Sequence, residues 1–262
     1  MRIGLEAARR GCRLEAFATL GSTNDEAMAR ARQGDPGRLW IVAEEQTQGR
    51  GRQARPWASP KGNLHASLLL VDACAPRAAP QLGFVAGVAL VDALQAAAPG
   101  VAFALKWPND VLRDGAKLAG VLAEGAMLKG GGFACVVGFG VDCLWSPDDL
   151  PYPATNLAAC GAAVAPADLL PALSDAMARR LDLWRGGAGF ADIRRAWLGR
   201  AGGLGAPLRV QTGRDRFEGV FETIDDDGRL ILATPAGRRS VEAADVFPAT
   251  HGVAPDPERT PS

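Results

Sequence analysis

Apolar and polar positions alternate along the chain in two periods, and the switch between them outlines its organisation. Thr23-Asn24-Asp25-Glu26 matches a capping box, with Thr23 as the cap and Glu26 reaching back. Ala27, Met28 and Ala31 then share one face of a helix predicted to run to about Gln33. Trp40 to Glu44 and His65 to Val71 read as strands, and the segment between them, rich in Gly, Arg, Gln and Pro, reads as a long functional loop. Leu82 to Ala98 is the longest apolar region, but Gly83, Gly87, Asp92 and Gln95 interrupt it, and it falls short of the roughly 20 apolar residues of a membrane span. It predicts a core helix. Strands are expected at Val101 to Leu105, Lys117 to Glu124 and Phe133 to Val141, with helices at Ala167 to Trp184 and Phe190 to Leu198.

From Gly202 the pattern becomes one of short strands: Pro207 to Gln211, Arg216 to Ile224, Leu230 to Ala233 and Arg239 to Val241, with a turn at Asp226-Asp227-Gly228. The reading is therefore α+β: an arginine-bearing extension over 1–14, a mixed sheet with helices over 15–201, a small β-barrel of about five strands over 202–248, and a disordered tail over 249–262. The extension is too short for a helix-turn-helix, which argues against a DNA-binding repressor.

Charge changes the picture by exclusion. With 29 basic and 29 acidic residues the chain has no global pull toward nucleic acid or anionic lipid, so phosphate recognition must be local. The five cysteines lack paired spacing and no secretory leader precedes them, which reads as cytoplasmic with free thiols. Two histidines and no Cys-x-x-Cys argue against a zinc site.

Five segments offer chemistry, and each has an ordinary alternative. Glu44 to Trp57 interleaves Arg50, Arg52 and Arg55 with Gly49 and Gly51: guanidiniums for phosphate oxygens and glycines for close backbone approach, or only a solvated basic loop. Lys106-Trp107-Pro108-Asn109-Asp110 stands at a strand end, as a polar site or as a turn with a core tryptophan. Lys117 opens an apolar strand in which Gly120 leaves room for a ligand; alternatively it guards a strand end. Gly138-Phe139-Gly140-Val141-Asp142 is a tight strand exit, and Gly21-Ser22-Thr23-Asn24 is a helix cap that can also hold a ligand.

In this order the segments resemble the biotin-protein ligase family: Ser22-Thr23-Asn24, Gln46 with Gly49-Arg50-Gly51-Arg52, Trp57, Ser59 to Leu64, Lys106 to Asp110, and Lys117 to Gly120. The resemblance spans about residues 17 to 157 and implies a catalytic domain like that of class II aminoacyl-tRNA synthetases, followed by an SH3-like barrel. It also implies ATP-dependent formation of biotinyl-5'-AMP with Mg2+, then transfer of biotin to a lysine of a biotin carboxyl carrier domain. By resemblance, Ser22, Thr23, Asn24, Gln46, Gly49, Arg50, Gly51, Arg52, Lys117 and Gly120 would meet biotin. Arg52, Trp57, Lys106, Asn109, Asp110 and Asp142 would meet ATP, and Lys117, Asp110, Arg50 and Arg52 would carry the chemistry. No protein ligand for a metal is expected, Mg2+ being held through phosphates.

The chain departs from the family pattern at Gln53-Ala54, where Arg-Gly is usual, at His65, where tyrosine is usual, and at Asp142, where asparagine is usual. Asp142 is expected to lose an amide donor and add a negative charge. Two rivals are a lipoate-protein ligase, disfavoured by Ser22, Thr23 and Gln46, and a non-catalytic adenylate-binding regulator, disfavoured by Lys117 and Asp110. Nucleic-acid binding through the arginine loop lacks an aromatic platform. An exposed strand edge would allow a homodimer.

Overall fold

The computed structural model describes residues 1–212, 215–242 and 244–249, so all but the first residue of the expected tail lies outside the described residues. A short helix α1 (Leu5–Arg9) leads into β1 (Arg13–Leu20), α2 (Thr23–Arg32), β2 (Leu39–Gln46) and β3 (Leu64–Val71). Helix α3 (Gln81–Ala97) is followed by β4 (Ala104–Lys106), β5 (Asp110–Arg113), β6 (Ala116–Met127) and β7 (Phe133–Val141). These seven strands form one sheet in the order β1-β2-β3-β7-β6-β5-β4, with β1 parallel to β2 and every other pair antiparallel. Helices α4 (Pro166–Trp184) and α5 (Phe190–Leu198) precede a second, five-stranded antiparallel sheet: β8 (Pro207–Gln211), β9 (Arg216–Ile224), β10 (Leu230–Thr234), β11 (Gly237–Val241) and β12 (Asp245–Pro248). The molecule is α+β, a mixed sheet with helices plus a C-terminal antiparallel sheet.

The central strands are apolar on both faces because both are covered. In β2, Trp40 and Val42 enter the core beneath α3 and α4, while Leu39 and Ile41 pack with Ala27, Met28 and Ala31 of α2. In β3, Leu64, Ala66, Leu68 and Leu70 face the larger core, so His65 and Ser67, though buried, fall on the α2 face. That face carries the site.

Two strands escape the sequence pattern. β1 is an edge strand with no buried residue, and β5 has only four residues, of which one is buried. Within residues 1–14, α1 packs on α4: the Gly4 amide donates to Ser174 Oγ at 2.8 Å and the Ala7 amide to Asp175 Oδ1 at 2.8 Å. The start of α2 is shifted by one residue from the expected capping box. Ser22, in extended conformation, is the cap and accepts from the Asp25 amide, while Glu26 turns outward to Arg30 at 2.8 Å. The shift frees the Thr23 hydroxyl for the interior.

A pocket with a neutral end and a cationic end

The N-terminus of α2, the end of β2, the loop between β2 and β3, the start of β6 and the end of β7 converge on a cleft of about 830 Å³, counting its solvent-open mouth. Ser22, Thr23, Asn24, Gln46, Arg50, Gly51, Arg52, Trp57, Asn109, Asp110, Lys117 and Gly120 line it together. Gly49, Lys106 and Asp142 do not.

At one end lie uncharged donors and acceptors. Gln46 Oε1 accepts from the Thr23 amide at 2.8 Å and the Thr23 hydroxyl at 3.1 Å, and Gln46 Nε2 donates to Ser59 Oγ at 2.9 Å. Ser67 Oγ reaches Thr23 Oγ1 at 2.7 Å and Asn24 Oδ1 at 2.6 Å. Arg50 arches over this end, donating to Asp25 at 2.8 Å, to Ser22 Oγ at 3.2 Å, and through Nη2 to both Glu124 oxygens at 2.9 Å.

At the other end charges converge. Lys117 Nζ is 2.7 Å from Asp110 Oδ1 and stands 5.3 Å from the Trp57 ring centroid and 5.6 Å from that of Tyr152. Burial depresses the Arg52 guanidinium pKa, opposed by the nearby carboxylates of Asp245 and Asp110. A half-buried cation of this kind favours an anionic ligand. Asn109 clamps β6 by donating Nδ2 to the Val121 carbonyl at 2.8 Å and accepting the Val121 amide on its own carbonyl at 2.9 Å. Between the two ends Trp57 lies on Gly140, where a β-carbon would come within 2.5 Å of the indole.

The three residues outside the pocket have physical reasons to be there. Gly49 gives its space to packing, since a β-carbon there would collide with Ser59 Oγ and the Trp57 carbonyl. Lys106 turns toward the second sheet, 5.4 Å from the Phe247 ring centroid and 3.9 Å from Asp110. Asp142 is buried behind the β7 exit, accepting from Asn63 Nδ2 at 3.0 Å. Burial raises its pKa to about 8 against the opposing pull of Lys117, so at neutral pH it is mostly protonated and the expected extra negative charge is largely absent. His65, also buried, shares its Nε2 with the Pro60 carbonyl at 3.1 Å, and burial depresses its pKa.

Ser67, Glu124, Tyr152 and Asp245 escaped the sequence motifs. Strand period gave a signal for the first two: Ser67 is two positions from His65, and Glu124 lies at an even step from Gly120 on the same face of β6. Asp245 comes from β12, 190 residues from Arg55, whose Nη1 donates to it at 3.1 Å, and nothing local announces it.

Residues 18–142 match the biotin/lipoate A/B protein ligase family, and residues 203–247 match the biotin protein ligase C-terminal domain. The biotin--[acetyl-CoA-carboxylase] ligase of Paracoccus denitrificans is 44% identical over 241 residues, which cover 88% of this chain and 98% of the relative. The chain belongs to the biotin-protein ligase family. The bifunctional ligase/repressor BirA of Bacillus subtilis, another relative, is 31% identical over 94% of this chain and 77% of its own length. The biotin protein ligase fold recurs in the enzyme from Aquifex aeolicus, solved in complex with biotin and ATP, at a TM-score of 0.77 and 23% identity over 90% of this chain and 99% of that one.

Proposed function

We propose that the two ends of this one pocket divide the labour of an ATP-dependent biotin-protein ligase, the neutral end holding biotin and the cationic end holding the phosphates. The enzyme forms biotinyl-5'-AMP from biotin and ATP, then transfers biotin to a lysine of the biotin carboxyl carrier domain of acetyl-CoA carboxylase. The observation that carries this reading is that Lys117, paired with Asp110 at 2.7 Å at the cationic end, lines the same pocket as Ser22, Thr23 and Gln46 of the neutral end.

A urea is neutral, with one carbonyl acceptor and two N–H donors, so Ser22, Thr23, Asn24 and Gln46 suit it better than charged groups would. In the first step the biotin carboxylate attacks the α-phosphorus and pyrophosphate leaves. Two anions meet there, and Lys117 and Arg52 lower the barrier by placing positive charge on the developing transition state. Arg50, already engaged by Asp25 and Glu124, acts as the closure over biotin, with Gly49 letting the loop pack closely on Ser59 and the Trp57 carbonyl. Trp57, Asn109 and Gly120 form the walls for adenine and the acyl tail, while Lys106 and Asp142 act from behind the surface. In the second step Asp110 orients the carrier's amine and takes up its proton as the mixed anhydride is opened.

No group of three His, Cys, Asp or Glu side chains suited to a metal occurs among the described residues. Single carboxylates such as Asp110 and Asp245 suit an ion that arrives coordinated mainly by phosphate. Mg2+ bound there supplies charge neutralisation on the phosphates. Among the described residues no helix is long and apolar enough to cross a membrane, and the five cysteines are free.

The test is mass spectrometry of small-molecule products after incubation with Mg2+, ATP and equimolar biotin and lipoate. Biotinyl-adenylate alone is expected, and Lys117→Ala should slow its formation by about 10²-fold. Lipoyl-adenylate as the product would overturn the substrate assignment. Biotin binding without either adenylate would make the protein a regulator.

A further inference from the structure

Glu124 is a carboxylate that the chemistry above does not consume, yet it touches two parts of the pocket at once. It lies on β6 two residues beyond Leu122, and its Oε2 accepts from Asn24 Nδ2 at 2.6 Å. Both of its oxygens accept from Arg50 Nη2. An ionised carboxylate accepts hydrogen bonds and cannot donate them. The edge of the Asn24 amide facing Glu124 must therefore be Nδ2, which turns Oδ1 toward Ser67.

The consequence runs through the neutral end. With Asn24 Oδ1 fixed as an acceptor, the Ser67 hydroxyl, which has one proton, gives it to Asn24 at 2.6 Å and meets Thr23 Oγ1 at 2.7 Å, while the Thr23 hydroxyl lies 3.1 Å from Gln46 Oε1. Gln46 is oriented separately by the Thr23 amide on its Oε1 at 2.8 Å and presents Nε2 to Ser59, whose hydroxyl donates to the Trp57 carbonyl at 3.1 Å. Glu124 thus sets the donor and acceptor directions of Asn24 and, through it, of Ser67 beside Thr23. Were the Asn24 amide reversed, Nδ2 would meet Ser67 Oγ and the Ser67 proton would turn from Asn24 to Thr23.

We infer that Glu124 is a positioning residue for biotin, fixing the hydrogen-bond polarity of Asn24 and Ser67 at the urea-facing end while holding Arg50 closed over it. The inference rests on the assignment of the neutral end to biotin. It gives Glu124 no contact with the reacting atoms and no part in ATP recognition.

The experiment measures biotin Kd by titration calorimetry and KM for ATP in adenylate formation, for the full chain and for Glu124→Gln. The isosteric amide can donate to Asn24, permitting the reversed amide, and it removes the charge that holds Arg50. Biotin binding is expected to weaken about tenfold, with KM for ATP and the melting temperature little changed. The exchanged pair Asn24→Asp with Glu124→Gln returns an amide–carboxylate bond of opposite sense and keeps an acceptor toward Ser67, so it should recover most of the lost affinity. Single Asn24→Asp, which sets two carboxylates together, should not.

Unchanged biotin affinity in Glu124→Gln, or equal losses for biotin and ATP with a falling melting temperature, would overturn the inference while leaving the ligase assignment standing. Failure of the unaltered protein to bind biotin would instead overturn the assignment of the pocket, and this inference with it.

Discussion

Asp142 shows what a single atom's identity does inside a buried turn. Its neighbour Asn63 holds the β7 exit together: Oδ1 accepts the amides of Cys143, Leu144 and Trp145, and Nδ2 donates to the Trp145 carbonyl as well as to Asp142. Asp142 must therefore offer an oxygen, which carboxyl and carboxamide do equally, but only the carboxyl can ionise. With its folded pKa raised to about 8, the native state keeps a proton that the unfolded chain gives up near pH 4. Stability from this group is thus fully present below about pH 4 and is lost as the pH rises toward 8, because the native state is the one that binds more protons. A carboxamide keeps the oxygen and removes the ionisation. Asp142→Asn should therefore abolish that slope, so that its stability relative to the parent grows by ~2–4 kcal/mol between pH 5 and pH 8. Denaturant melts of the two proteins across that range decide it; parallel curves would show that Asp142 is ionised throughout.

The arginine loop is the element whose sequence was easiest to notice and hardest to build. Its composition announced a phosphate-seeking segment, but its path depends on partners far away: Arg50 on Glu124 and Asp25, Arg55 on Asp245. Gln53 and Ala54 both take left-handed backbone with φ of 56°, the conformation for which the family's usual glycine at the second position is suited. An alanine there costs about 1 kcal/mol relative to its relaxed backbone. Ala54→Gly should consequently leave stability unchanged or raise it by up to ~1 kcal/mol, where the same change in ordinary backbone would lower it. A loss of more than ~1 kcal/mol in equilibrium unfolding would refute the left-handed assignment. Strong period made β2, β3, α3, β7 and α5 legible; β1 and β5 were not, because an edge strand and a four-residue strand bury too little to impose a pattern. The capping motif was legible in kind but misplaced by one residue, since Ser22 and Thr23 are both good caps and only the tertiary demand of Gln46 for the Thr23 hydroxyl separates them.

At the scale of the molecule, the change of texture at Gly202 suggested a separate small barrel, but strand patterns say nothing about what lies between two units. An aromatic series joins them: Phe84 of α3 packs on Trp197 of α5 at 5.5 Å between centroids, and Trp197 on Phe221 of β9 at 6.4 Å. The Trp107 indole donates to the Gly228 carbonyl at 3.0 Å across the same boundary, and Gly228, at φ +84°, leaves room for Phe84, which a β-carbon would meet at 2.5 Å. Leu208, Val210, Phe221 and Leu230 of the second sheet belong to the same buried core as α3 and α4. Neither sheet can therefore lose its packing without exposing the other's apolar face, and Asp245 carries that dependence into the pocket itself. Calorimetry of the full chain should give one unfolding transition, and biotin with ATP should raise it as a whole, by ~2.7 kcal/mol at a hundredfold excess over Kd. Trp107→Phe, which leaves the Gly228 carbonyl without its buried donor, should lower that single transition by ~1–3 kcal/mol without splitting it. Two transitions, the lower one insensitive to ligand, would mean that the C-terminal sheet melts alone and that its contribution to the pocket is dispensable for holding the substrates.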